Sequence, residues 1–259
     1  MRSTNMNKTI YKLLATKVRP IEFAALLKRI LLIKRRYFNI NNNYWFLDPV
    51  SNFGFRLLNE NHYEPEMTET ILGLLNEGDS FIDLGANEGY FSILASKKTG
   101  ANGKVYCIEP QQRLWEVILK NINKNNCYNI NLIPFAISDR VEEIAISLSP
   151  SINTGSSSFV KESRRRLWET QELFSTTLDD LFLEHDAHSI KLIKIDIEGY
   201  EFFALKGAVK LLQKKVIKNI LIEFHPAQLK ALGHTAEGIS DFLKGYGYTE
   251  RNAVYSCSI

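Results

Sequence analysis

The chain has 259 residues, 45% apolar and 24% charged, enough for one large domain, or a domain with an appended segment, whose core needs no disulfide or metal staple. Its three cysteines, Cys107, Cys127 and Cys257, form no CxxC pair, which argues against a disulfide framework or a structural zinc and fits a reducing, cytoplasmic setting. The net charge of +3 divides unevenly: residues 1–40 carry +9 and the rest −6, so no basic footprint spreads over a folded face as a general nucleic-acid binder would need.

Residues 7–36 read as two helical pieces broken at Pro20. The second, residues 21–36, sets Phe23, Leu27, Ile30, Leu31 and Ile33 against Lys28, Arg29, Lys34, Arg35 and Arg36. Two readings stay open. The helix packs on the main domain with its charges in water, the favoured reading because charged faces are usually solvated. Or it rests, as a basic amphipathic helix, on an anionic membrane surface or a partner. Glu22, Lys28 and Arg29 interrupt the apolar stretch, so no span is expected, and residues 1–17 are too polar for a secretory leader.

Residues 41–65 are polar and aromatic and are expected to form a strand pair or an ordered loop. Trp45, Phe46, Phe53 and Phe55 either build a sugar-stacking wall or cover a sheet edge. We therefore divide the chain into a basic helical extension with an aromatic lead-in (1–64) and a core domain (65–259). Pro65 precedes a helix over 66–76. Strands then alternate with helices: strand 80–84, helix 90–97, strand 104–109, helix 111–123, strand 130–135, an edge or hairpin strand 142–148, strand 191–196, helix 200–212, strand 217–224, helix 227–244 and a last strand 253–258. A serine-rich loop (153–158) and a charged stretch (161–172) interrupt the alternation. The pattern predicts an α/β fold, a doubly wound, Rossmann-like, mostly parallel sheet with an N-terminal helical extension.

The most informative stretch is Phe81-Ile82-Asp83-Leu84-Gly85-Ala86-Asn87-Glu88-Gly89. A strand ends in an acid, and two glycines four apart lead into a helix, as in a ligand loop at the carboxyl edge of a parallel sheet. Asn87 replaces the middle glycine of the dinucleotide fingerprint, so a diphosphate cradle is not supported. A carboxylate at Asp83 suits a cationic or zwitterionic ligand. Glu109, twenty residues beyond Gly89, can accept hydrogen bonds from both hydroxyls of a ribose. Together these features point to S-adenosylmethionine, the alternative being a tight turn with Asp83 and Glu109 as caps.

The chain resembles the FkbM-type family of class I, S-adenosylmethionine-dependent methyltransferases, which mostly methylate hydroxyl groups. The resemblance rests on the 83–89 run, Ile108-Glu109-Pro110, Ala136-Ile137-Ser138-Asp139, Thr177-Leu178-Asp179, the 193–201 block Ile-Lys-Ile-Asp-Ile-Glu-Gly-Tyr-Glu, and Glu223-Phe224-His225, in the family's order. It implies that Asp83, Gly85, Asn87 and Gly89 line the methionine part of the cofactor, that Glu109 holds the ribose, and that residues 136–138, Ala136 first, flank the adenine.

Asp196, Glu198, Glu223 and His225 fall at the ends of two strands that, as neighbours, would bring them together. His225 is the expected general base, because its pKa lies near neutrality. Asp196 shares that role or orients the substrate hydroxyl, and Glu223 stands beside them. A Mg²⁺ ion on Asp196, Glu198 and Glu223 is the alternative. Glu201 reads as a first-turn helix acid. Residues 196–199 lack the Asn/Asp-Pro-Pro-Tyr/Phe of amino-group methyltransferases, which favours oxygen as the acceptor. The 153–158 loop is either a polyol-binding flap or a solvated loop, and Arg164-Arg165-Arg166 either grip an acidic substrate or face water.

The expectation is thus an O-methyltransferase acting on a hydroxyl of a saccharide, glycolipid or secondary metabolite, with a small-molecule or glycan partner and no nucleic acid. The rivals are an NAD(P)-dependent oxidoreductase, which lacks a Tyr-x-x-x-Lys pair here, and a non-catalytic cofactor-binding protein.

Overall fold

The uninterrupted apolar runs of the sequence become strands of one sheet, since a parallel strand covered on both faces needs apolar side chains on both. The computed structural model describes residues 2–19, 21–157, 168–183 and 189–257. Pro20, Ser158, Arg164, Arg165, Arg166 and residue 258 lie outside the described residues.

In chain order, helices α1 (Arg2–Thr16) and α2 (Ile21–Ile30) precede a hairpin, β1 (Arg36–Ile40) and β2 (Asn43–Leu47), and two helices, α3 (Asn52–Glu60) and α4 (Pro65–Leu74). The alternating part follows as β3 (Ser80–Leu84), α5 (Tyr90–Thr99), β4 (Lys104–Ile108), α6 (Gln112–Asn125) and β5 (Ile130–Ile133). Next come β6 (Ala136–Ile137), β7 (Glu143–Leu148), β8 (Glu169–Thr176) and α7 (Leu178–Phe182). The last part runs β9 (Leu192–Ile195), α8 (Glu201–Lys206), α9 (Val209–Gln213), β10 (Asn219–Ile222), α10 (Pro226–Ala231), α11 (Ala236–Gly245), β11 (Tyr248–Arg251) and β12 (Val254–Cys257).

The central sheet has the order β11-β12-β10-β9-β3-β4-β5. Strands β10, β9, β3, β4 and β5 are parallel, and β12 runs antiparallel to both β10 and β11. The chain winds outward from β3 in one direction and returns to its other side at β9. That reversal is the switch point at which open α/β sheets bind ligands, outside the carboxyl ends of the strands. The architecture is the doubly wound α/β sheet expected.

One apolar cluster joins Phe81, Phe91, Val105, Leu114 and Ile118 on one face of the sheet, and a second joins Ile193, Ile195, Leu205, Leu211 and Ile220 on the other. The hairpin and α3 enter the first through Trp45, Leu47, Phe53 and Leu57. Trp45 and Phe53 pack among Tyr63 and Tyr90, with ring centroids 5.0 to 6.4 Å apart, which makes Trp45 a core residue rather than an exposed stacking wall. Leu14 and Ala24 of the first two helices meet Val50 and Ile152 in a small cluster of their own.

Several elements depart from the sequence expectation. The helix expected over 21–36 ends at Ile30, because Leu32 takes a left-handed φ of 53° and Arg36 begins a strand. Helix α3, inside the expected loop, is set by Ser51, whose hydroxyl accepts the Gly54 N–H. Helix 200–212 is two pieces: a Cβ at Gly207 would collide with the Ser138 carbonyl, so the chain presses on β6 there and bends. Helix 227–244 also divides, with Thr235 capping the second piece. The charged stretch hides β8, whose outward Glu169 and Glu172 disguise its strand alternation, and β7 pairs with it in a separate three-stranded sheet with β6. Strand β11, in the gap between the helix expected over 227–244 and the last expected strand, forms the terminal hairpin with β12.

Candidate cofactor and acceptor site

The loop after β3 is fixed by backbone bonds. The Gly85 and Ala86 N–H groups both donate to the Ile108 carbonyl at the end of β4 (3.1 Å each). Gly85 has φ 82°, and a Cβ there would strike the Asp196 carbonyl, so no larger residue fits between β3 and β9. Asn87 is left-handed (φ 50°), which aims its N–H at Glu109 Oε2 (2.8 Å), while the Gln111 N–H donates to Glu109 Oε1 (2.9 Å). Burial pushes the Glu109 carboxyl up to about 7 against these two N–H groups. The Thr154 hydroxyl donates to Asn87 Oδ1 (2.9 Å), bringing the 153–157 part of the serine-rich loop across this edge of the sheet.

The next residue, Glu88, points away and is almost wholly buried. Arg35 grips it through two bonds of 2.6 and 2.8 Å. The N-terminal segment is therefore bolted to the loop by a charge that the sequence reading left in solvent. Lys28 is likewise turned inward, onto the buried Asp48.

Beneath the loop lies Lys194, fully buried in β9 and opposite Asp83 in the sheet register. Its ammonium sits 3.4 Å from Asp83 Oδ1 and 3.2 Å from Asp196 Oδ2, donates to the Gly85 carbonyl (3.1 Å), and lies 5.1 Å from the Phe91 ring centre. Burial opposes the charge, but Asp196 and Asp83 outweigh it and hold the lysine pKa above its ordinary value. Asp83 is itself fully buried, and its other oxygen accepts the Ser92 hydroxyl (2.7 Å).

At the ends of β9 and β10 the chain builds a second constellation. Glu201 heads α8, but its side chain turns inward and is fully buried. Its Oε1 accepts the Gly199 N–H (3.0 Å) and lies 2.9 Å from His225 Nδ1. His225 makes no cap bond to the α10 backbone. Its Nε2 faces Asp196 Oδ1 (3.6 Å) and Glu198 Oε2 (3.8 Å). Burial opposes protonation of the ring, but the bond to Glu201 and the charges of Glu198 and Asp196 raise its pKa to about 9. Burial raises Glu198 to about 7, and burial followed by Asp196 and Glu64 raises Glu223.

Two chambers meet here. The first, open to solvent, lies between Gly85, Glu109, Gln111, Ile146 and Ile197. The second, also open to solvent, lies between Phe53, Tyr63, Glu64, Glu223 and His225. Asn87, Gly155, Asp196 and Glu198 line both. Among the described residues lining either chamber there is no lysine or arginine. The first chamber therefore offers carboxylates and backbone to its ligand, which fits a cationic sulfonium with a ribose and not a diphosphate.

Of the residues singled out from sequence, Gly85, Asn87 and Glu109 line the first chamber, and Asp196, Glu223 and His225 the second. Asp83, Gly89 and Ala136 line neither. Asp83 lies below the loop, Gly89 starts α5, and Ala136 pairs with Ser175 in the small sheet. Among the described residues no group of three or more His, Cys, Asp or Glu side chains is arranged to hold a metal ion. Asp196 faces Lys194 and His225, and Glu198 accepts the Gln228 amide, so the alternative of a Mg²⁺ ion on Asp196, Glu198 and Glu223 is not supported. Lys194 and the inward turn of Glu201 escaped the sequence reading. A lone lysine inside the apolar run Leu192-Ile193-Lys194-Ile195 was the available signal, because buried lysines are rare unless paired.

This sheet order, with its single antiparallel strand and an acid at the end of the strand beside the glycine loop, defines a class I methyltransferase. The methyltransferase FkbM domain matches residues 83–250, and the chain belongs to that family of S-adenosylmethionine-dependent methyltransferases. No curated protein matches the sequence. Solved structures with similar folds include a SAM-dependent methyltransferase from Aquifex aeolicus (17% identity, 77% of this chain and 89% of that one, TM-score 0.42). A SAM-dependent O-methyltransferase from Thermotoga maritima aligns at 12% identity over 80% and 70% of the two chains (TM-score 0.43). An rRNA methylase from Streptococcus thermophilus aligns at 10% identity over 74% and 95% (TM-score 0.40).

Proposed function

We propose that the protein is an O-methyltransferase that methylates a hydroxyl of a polyhydroxylated small molecule or glycan. The observation that carries this reading is His225, held at Nδ1 by a buried carboxylate and presenting Nε2 at the junction of the two chambers. S-adenosylmethionine bound in the first chamber supplies an electrophilic methyl group on a sulfonium. Gly85 and Asn87 give it backbone contact, and Glu109 accepts from the ribose hydroxyls. His225 takes the acceptor proton at Nε2, Asp196 orients the hydroxyl, and Glu223 bonds a neighbouring hydroxyl of the acceptor. Glu201 positions His225, and Asp83 acts through Lys194.

The charge of the second chamber supports a neutral polyol. Glu64, Asp196, Glu198 and Glu223 line it with no basic residue other than His225 among the described residues, an environment that repels a phosphate backbone. Methyl release from labelled S-adenosylmethionine over a panel of sugars, secondary alcohols, amines and RNA tests the reading. Turnover is expected with hydroxyl acceptors. Preferential methylation of RNA or of amines would overturn it.

The raised Glu109 carboxyl gives cofactor binding a pH dependence. Its ionised form has two acceptor oxygens for the ribose, and protonation below about 7 removes that capacity. The affinity for S-adenosylhomocysteine is expected to weaken as pH falls from 8 to 6. Glu109→Gln should bind roughly 10- to 100-fold more weakly, the worth of one or two charge-assisted hydrogen bonds, with little pH dependence left. Calorimetric titration reads both; a wild-type affinity flat across this range removes the ribose role.

A further inference from the structure

We propose that the face built by α1, α2 and the turn after α2 docks on an anionic bilayer surface. The sequence favoured a helix with its apolar side packed on the domain, and the structure divides that side: Leu27 and Ile33 pack beside Leu14 and Ala24, whereas Phe23, Ile30 and Leu31 face solvent. Leu13, Phe23, Leu26, Ile30, Leu31 and Leu32 are 50% to 75% exposed. They are six of the thirteen large exposed hydrophobics among the described residues, and the other seven are scattered from Tyr37 to Phe174. Such a concentration of exposed apolar side chains is unusual on a soluble surface and marks a contact. Leu32, the most exposed of them, holds a left-handed backbone (φ 53°) that a leucine rarely adopts, and this puts it at the tip of the turn.

The same segment is basic. Lys12, Lys17, Arg19, Arg29, Lys34 and Arg36 are exposed, with Arg29 beside Leu26 and with Lys34 and Arg36 beside Leu31 and Leu32. The single acid of residues 1–40, Glu22, is half-buried and accepts the Trp168 indole N–H (3.0 Å). A groove lined by Tyr11, Lys34 and Arg36 together with Leu31 and Leu32 places cations beside apolar side chains. Apolar tips that enter the headgroup layer, with lysines and arginines reaching for anionic lipid, are what a laterally bound helix needs. No helix among the described residues is long and apolar enough to cross a membrane, so the contact lies along the surface. The remaining residues, 41–259, carry a net −6, and their repulsion turns the N-terminal face toward an anionic bilayer. An RNA would use the bases but leave the leucines wet. A second copy would cover the leucines but crowd like charges.

Flotation of the full chain with vesicles tests the proposal. The protein is expected to float with phosphatidylcholine vesicles containing about one-third phosphatidylserine, and at least tenfold less with phosphatidylcholine alone or in high salt. The pair Ile30→Glu and Leu32→Glu should abolish flotation, and Arg29→Ala with Lys34→Ala should weaken it about tenfold or more. Both pairs should keep wild-type affinity for S-adenosylhomocysteine, because these residues line neither chamber. Leu119→Glu, at an exposed leucine on α6, should float like wild type. Failure to float with the anionic vesicles overturns the proposal, as does undiminished flotation of the glutamate pair. Self-association in solution that the glutamate pair abolishes assigns the face to a second copy instead. RNA retention lost only in the alanine pair assigns it to nucleic acid.

Discussion

Replacing His225 with alanine is expected to lower kcat by about 10²- to 10⁴-fold, the usual worth of a positioned general base. Affinity for S-adenosylhomocysteine should stay near wild type, because His225 faces the acceptor chamber and does not line the cofactor chamber. The pH profile separates a base from a residue that only packs. The Glu201 bond and the flanking carboxylates raise His225 to about 9, so at neutral pH the ring is mostly protonated and cannot take a proton. Activity should therefore climb with pH until about 9 and then level off. Glu201→Gln removes the carboxylate bonded to Nδ1, so the imidazole pKa falls toward its ordinary 6.5 and the climb moves to lower pH. A merely structural Glu201 would lower the rate without moving the profile. Unchanged turnover in His225→Ala, or a Glu201→Gln profile that stays in place, ends the assignment.

The second large effect is on stability. Lys194→Met removes the cation between Asp83 and Asp196 and strands a fully buried Asp83 carboxylate. Breaking a buried ion pair from one side costs about 3–5 kcal/mol, because the remaining charge keeps its desolvation penalty and loses its partner. For a chain of this size that is a fall in Tm of roughly 10 °C. The raised lysine pKa means that the contribution is present in full at neutral pH and is lost only as pH rises through the folded value. Adding Asp83→Asn to Lys194→Met should recover part of the loss, since an amide is far cheaper to bury than an unpaired carboxylate. Thermal unfolding of the two variants reads this directly. An unchanged Tm in the single variant, or no recovery in the double, would show that the triad does not carry the predicted energy.

The parts of the site that follow from local chemistry were legible. Gly85 and Asn87 mark backbone that must turn left-handed, and Glu109 sits one strand later at the spacing a βαβ unit imposes. The strand runs 80–84 and 104–109 were legible because a strand buried on both faces leaves a nearly continuous apolar stretch. Strand β8 was not, since its exposed Glu169 and Glu172 are charges of the kind that usually mark loops. The contact of Glu201 with His225 was hidden for a related reason. Its place in the first turn of α8 accounts for an acid by the helix dipole alone, and nothing within four residues reveals a histidine at the start of α10.

By itself, the sequence determined the alternation of strand and helix, the cofactor loop and the acids at the strand ends, because periodicity and backbone conformation are properties of short stretches. Only the tertiary structure decided which charges face inward. Lys194 meets Asp83 across 111 positions, Arg35 meets Glu88 across 53, and Lys28 meets Asp48, while Leu26, Ile30 and Leu32 are left in water. The physical reason is that a charge is buried only where the sheet order and register bring an opposite charge to it, and pairing at that distance leaves no trace in local spacing.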